Sequence, residues 1–278
     1  CHGAGLGGGT SKNPTWTVIN GAQAQCGSCH GAPPPAPHPV DQDCGKCHDT
    51  MTAGGGLVIT DPTRHIDGNL DVTGDQACNS CHGGTNNAPP KDTAGNTATT
   101  ARGVGAHQQH LATTTRFAPI ACNDCHRVPG AVTSVGHLDT NLPAELTFSP
   151  RAGTSTAFNG SRCSNNYCHG SSLTGGSATA PLWTTVNGTQ AQCSSCHGNP
   201  PTSAPHTPAT TNCSQCHPNS DPTDATKFLD PAKHVDGNVD VDSNQQCNSC
   251  HGGTNNAPPK DTTNNTTTTS RGVGAHQA

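Results

Sequence analysis

Seven times this chain reads Cys-x-x-Cys-His: at Cys26/Cys29/His30, Cys44/Cys47/His48, Cys78/Cys81/His82, Cys122/Cys125/His126, Cys193/Cys196/His197, Cys213/Cys216/His217 and Cys247/Cys250/His251. Two thiols on so short a spacer can both add to the vinyl groups along one edge of a porphyrin. The adjacent histidine then lies beneath the ring, where its imidazole can bind iron. An eighth site, "CSNNYCH", has a longer spacer: Cys163, Cys168 and His169. The chain opens on Cys1 and His2, which read as the tail of a ninth. These motifs use all 17 cysteines.

Two other uses of cysteine compete with haem. Zinc ribbons combine two Cys-x-x-Cys units into a tetrahedron, which gives no reason for a histidine after every second cysteine. A disulfide framework pairs distant cysteines and has no use for the repeated short doublets. The spacing therefore points to haem c, about nine per chain. At Cys163 and Cys168 the spacer must bulge to bring both thiols to one ring, and a single-thioether or haemless site is the alternative there.

The chain has 17 histidines, of which nine are proximal candidates: His2, His30, His48, His82, His126, His169, His197, His217 and His251. Eight lie off-motif: His38, His65, His107, His110, His137, His206, His234 and His276. Methionine is the other common distal ligand. With Met51 the one methionine, bis-histidine ligation is the economical reading, and it falls one ligand short.

An internal repeat accounts for the shortfall. Trp16 aligns with Trp183 and Cys26 with Cys193 at an offset of 167; after a two-residue insertion, His65 aligns with His234 and Cys78 with Cys247. Residues 1–162 form a first repeat with five haem sites, the first one truncated. Residues 163–278 form a partial second repeat with four. The first repeat balances, its five proximal histidines facing five distal candidates: His38, His65, His107, His110 and His137. The second stops at "HQA", one residue short of the counterpart of His110. A further histidine is expected just past Ala278 and a further cysteine shortly before Cys1, supplied by a longer periodic array or by a neighbouring subunit.

What must position these ligands is an unusual polypeptide. Only 29% of its 278 residues are hydrophobic and 3% aromatic, with 33 glycines and 23 prolines. Such side chains cannot assemble a core of ordinary size. The expected fold is mostly irregular coil with few short helices and strands, wrapped around a chain of covalently bound haems that supply the apolar interior. A helical turn is expected at "DATKFL" (224–229), and short strands at "TWTVIN" (15–20) and "PLWTTVN" (181–187). "HIDGNLDV" and "HVDGNVDV" read as turns or small hairpins, with calcium binding near Asp67 and Asp236 the weaker alternative. The Thr-rich stretches read as solvated loops and candidate O-glycosylation sites. Charged residues make up 11% and the net charge is −5, so there is no basic footprint for nucleic acid. No apolar run reaches membrane-spanning length.

The mixture of Cys-x4-Cys-His with many Cys-x-x-Cys-His sites, followed by "HGxPP" and "HGG" strings, resembles the CxxxxCH/CxxCH-repeat multihaem c-type cytochromes of metal-reducing bacteria. The resemblance implies export, an extracellular or cell-surface location with the periplasm as alternative, and electron delivery to redox partners or extracellular acceptors. High haem density and truncated repeats give a looser resemblance to the extracellular cytochrome filaments. That likeness implies neighbouring copies docked head to tail as a nanowire. The expected role is electron transfer rather than enzymatic catalysis. Its rivals are a multihaem oxyanion reductase with one open haem and a monomeric periplasmic shuttle.

Overall fold

The computed structural model describes all residues except 1, 4, 37, 73–76, 139, 202–205, 207–211, 243–260, 262–264 and 276–278. Cys1, Cys247, Cys250, His251 and His276 therefore lie outside the described residues. By packing, the chain divides into two units. One combines Cys1–Gln108 with His126–Leu146, the other Gln109–Cys125 with Thr147–Ala278.

Regular structure is sparse, and most of it sits at the cysteines. Among the described residues there are three short helices, α1 (Cys26–Cys29), α2 (His107–Leu111) and α3 (Cys193–Cys196). Single tight turns of helix cover Cys44–Lys46, Cys78–Ser80, Cys122–Asp124, Tyr167–His169 and Cys213–Gln215. Two two-residue strands, β1 (Ala157–Phe158) and β2 (Cys163–Ser164), pair antiparallel with Phe158 opposite Cys163. Three further single turns of helix lie at Ala22–Ala24, Pro150–Ala152 and Pro231–Lys233. The rest is turns and coil, because glycine and proline interrupt the stretches that could propagate a helix.

Three expected elements are not formed. Residues 15–20 and 181–187 are turns rather than strands, because a glutamine side chain takes over the backbone groups a ladder would have used. The Gln23 amide accepts from Thr15 N–H (2.6 Å) and donates to the carbonyls of Thr15 (3.0 Å) and Val18 (2.9 Å). Gln190 does the same to Leu182 (2.6 and 2.9 Å) and Thr185 (2.9 Å). The stretch 224–229 is likewise not a helix. Asp221 and Asp224 accept from threonine side chains and backbone N–H groups two residues on, which favours turns over helix. Phe228 instead bridges back to Ser220. The segments at Asp67 and Asp236 are turns, each closed by the carboxylate accepting from the N–H two residues on (both 2.8 Å).

A conventional core is missing from the described residues. The buried apolar side chains are Ala88, Val104, Ala152 and Val273. Trp16 is 95% exposed and Ile19 93%.

Candidate haem centres

The Cys-x-x-Cys spacing and the helical turn fit each other. Residues three apart in one turn lie on one face. All six described Cys-x-x-Cys pairs start such a turn, so both thiols of each motif point the same way. At Cys213/Cys216 the turn is closed by Cys216 N–H donating to the Cys213 carbonyl (3.2 Å). The Cys216 carbonyl in turn accepts from Asp242 N–H (2.9 Å), so this half-buried cysteine is held from both sides of its peptide. The Cys163/Cys168 site is built differently. Cys163 leaves β2, Asn165 takes a left-handed backbone conformation (φ 53°), and Tyr167–His169 forms the turn that holds Cys168. Asparagine tolerates that conformation better than most residues. The 14 described cysteines form no disulfides with one another.

Six pairs of histidine rings face each other at one separation. Ring centroids are 6.4 Å apart for His30–His65, 6.2 Å for His38–His48, 6.2 Å for His107–His126, 6.0 Å for His110–His169, 6.4 Å for His197–His234 and 6.1 Å for His206–His217. Each pair joins one motif histidine to one off-motif histidine. A metal ion bonded at roughly 2 Å to the near nitrogen of both rings separates their centroids by about 6.3 Å. Equivalent pairs in the two repeats match in angle too: 75° and 87° for His30–His65 and His197–His234, 3° and 12° for His38–His48 and His206–His217. His82 lies within electrostatic range of His137, a secondary cause after burial of its lowered pKa.

One pair crosses the boundary between the repeats at residue 162. His110 meets His169 of the second repeat, because residues 109–125 pack with 147–278. His2 is exposed, with no ring partner among the described residues.

The ring nitrogens facing away are also assigned work. The Nδ1–H groups of nine histidines donate to backbone carbonyls: His30 to Gly31, His38 to Pro39, His48 to Asp71, His107 to Val104, His126 to Glu145, His137 to Val132, His197 to Gly198, His217 to Asp240 and His234 to Arg116, at 2.6–3.0 Å. Donation from Nδ1 fixes the tautomer that leaves Nε2 with a free lone pair, as metal-binding histidines require. Each pair offers a metal two ligands, and no cluster of three or more His, Cys, Asp or Glu side chains is present among the described residues. The donor set suits an iron whose other four ligands come from a porphyrin. It does not suit a zinc ion held by protein alone.

Aromatic residues that spacing did not single out as site residues set some of these rings. Trp183 stacks on His110 at 5.6 Å, Phe158 of β1 meets Trp183 edge-on at 6.3 Å, and Phe228 stacks on His234 at 3.9 Å. Trp183 could have been found, since Trp16 repeats it. Phe228 could not, because Ile59 occupies its position in the first repeat.

The sites at Cys163/Cys168 and Cys193/Cys196 are built as one piece. Ser177 N–H donates to Ser194 (3.0 Å), Ala178 to Ser195 (2.8 Å) and Gly198 to Thr174 (2.9 Å). Gly170, at φ 78°, lies so close to α3 that a Cβ there would sit 1.9 Å from the Cys196 carbonyl oxygen. Residues 162–197 match the Geobacter CxxxxCH...CXXCH motif. This is a multihaem c-type cytochrome motif, and its Cys-x-x-Cys-His sites carry covalently bound haem c. Neither the curated proteins nor the solved structures offer a match to the chain. Both halves of the CxxxxCH...CXXCH motif are thus joined by backbone contacts, and the first repeat makes the same ones. There Thr10 N–H donates to Gly27 (3.1 Å), Ser11 to Ser28 (2.8 Å) and Gly31 to Gly7 (2.8 Å), with Gly3 pressed against Cys29.

Burial tunes the motif's titratable groups. Desolvation, then the charge on His110, pushes the His169 imidazolium down to about 4. Burial raises the thiols of Cys163, Cys168 and Cys196, and takes that of Cys125 up to about 11. In the first unit burial, followed by the neighbouring Cys81, raises Cys47 to about 12.

Proposed function

We propose that this multihaem electron-transfer chain conducts electrons along closely spaced bis-histidine haems, as an extracellular filament of head-to-tail copies that delivers electrons to acceptors outside the cell. The observation that carries the reading is the common 6.0–6.4 Å separation of six histidine pairs, each joining a motif and an off-motif ring. Bound haem c supplies a reversible one-electron couple at each site. The chain's own contribution is positional. Backbone carbonyls accept the Nδ1 protons of His30, His38, His48, His107, His126, His197, His217 and His234, which leaves the Nε2 atoms of these rings unprotonated. The two histidines of each pair would hold the iron of a bound haem between them and leave small ligands no place on it. The helical turns hold the thiols on one face, and Trp183 and Phe228 stop their histidines from swinging away. Polymerisation is supported by the internal repeat, since repeated units dock through like surfaces.

The ferric absorption and electron paramagnetic resonance spectra of the purified protein should be wholly low-spin, with no cyanide bound at stoichiometric level. A high-spin component that takes up cyanide or nitrite marks an open haem and favours the reductase. Electron micrographs of the same material separate filaments from a monomeric periplasmic shuttle.

Acid sensitivity follows from His169. Its pKa in the fold, about 4, lies below the ordinary 6.5. The neutral ring therefore stabilises the fold fully above the ordinary value, and this contribution is lost as pH falls through the lower one. Low-spin absorption in a Trp183→Leu variant, whose His110 has lost its stacking partner, should decline at higher pH than in the unaltered protein. Identical acid midpoints would show that Trp183 does not hold this site.

A further inference from the structure

We propose that the porphyrins bonded at Cys44/Cys47 and at Cys78/Cys81 meet edge to edge, making their irons a coupled pair within one unit of the chain. The Sγ atoms of Cys47 and Cys81 lie 3.5 Å apart, although 34 residues separate them in sequence. That is well beyond the roughly 2 Å of a disulfide bond and corresponds to two sulfurs in contact. Each is the second cysteine of its motif. Each would therefore tether its macrocycle, through a single carbon, at the point where the two segments touch.

Other contacts clamp the two segments together on either side of the sulfurs. Val40 N–H donates to the carbonyl of Thr93 (3.2 Å). Asp41 accepts from Lys46 (3.2 Å) on its own segment and pairs with Lys91 (3.6 Å) on the other. Directly after His82, Gly83 and Lys91 exchange backbone hydrogen bonds (2.7 and 3.2 Å), which closes the loop carrying Lys91. His48, paired with His38, is held by the Asp71 carbonyl (2.8 Å). The sulfur contact is thus fixed by a backbone bond, a shared carboxylate and a closed loop. In the second repeat Cys216 is the counterpart of Cys47. The counterpart of Cys81, Cys250, lies outside the described residues.

The inference rests on haem being attached at both motifs, so the test counts haems before it reads coupling. The ferric holoprotein and a Cys78→Ala/Cys81→Ala variant are compared by intact mass and by low-temperature electron paramagnetic resonance. The variant should lose one haem, and one remaining low-spin signal, from the nearly parallel His38–His48 site, should narrow and relax more slowly. Loss of one haem with every remaining signal unchanged overturns the pair and leaves the haem assignment standing. An unchanged haem count overturns the assignment at Cys78/Cys81 itself. If the double variant does not fold, Cys81→Ser retains one thioether through Cys78. It should keep the full haem count while altering two low-spin signals together; a change confined to one signal, or none, counts against the pair. In unaltered protein, integrated low-spin intensity should fall short of the chemical haem count, and equality of the two would sink the proposal.

Discussion

Produced without haem attachment, the full chain is expected to have no cooperative thermal transition and a circular dichroism spectrum dominated by unordered backbone. The buried apolar side chains among the described residues are two valines and two alanines. Burial of a valine contributes about 1.5–3 kcal/mol at most. Ordering each residue of a chain costs a comparable amount. Helical propensity cannot make up the difference, because no helix among the described residues exceeds five residues and isolated helices of that length are unstable in water. The holoprotein should instead melt cooperatively, at a temperature that falls as haems are removed. A haem-free chain that melts in a single sharp transition would show that the polypeptide holds a core of its own.

Gly170→Ala is expected to be among the most damaging substitutions outside the cysteines and histidines. The left-handed conformation at φ 78° costs a non-glycine residue on the order of 1 kcal/mol. A Cβ would also stand 1.9 Å from the Cys196 carbonyl oxygen, inside any tolerable contact. Backbone, not a flexible side chain, would have to move, and the three hydrogen bonds joining 174–178 to 194–198 would have to shift with it. We expect a loss of roughly 3 kcal/mol or more, with weakened ligation at the His110–His169 pair, read by thermal melting and by the low-spin spectrum. Gly3→Ala should damage the first repeat in the same way, since its Cβ would also lie 1.9 Å from a backbone oxygen, that of Cys29. Gly21→Ala is a suitable control. It too has positive φ, at 79°, but its Cβ would meet nothing within 4 Å, so only the conformational cost should remain. Equal melting temperatures for Gly170→Ala and Gly21→Ala would refute the steric part of the argument.

Sequence spacing alone determined the chemistry. Cysteines three apart followed by histidine mark haem attachment in any fold, because the turn that presents both thiols is local. Composition likewise determined that the chain would be mostly coil. What spacing could not give is the partner of each motif histidine. His30 and His65 are 35 positions apart, His38 and His48 are 10, and His110 and His169 are 59. No rule of sequence distance joins these three pairs, because which ring faces which depends on how the intervening coil is folded. The same holds for the contact between Cys47 and Cys81. Local strand patterns at 15–20 and 181–187 misled for a related reason: one glutamine side chain competed successfully for the backbone groups. Local covalent and hydrogen-bonding rules thus settle what each motif is. Only tertiary packing, acting between segments tens of residues apart, decides which motifs are neighbours.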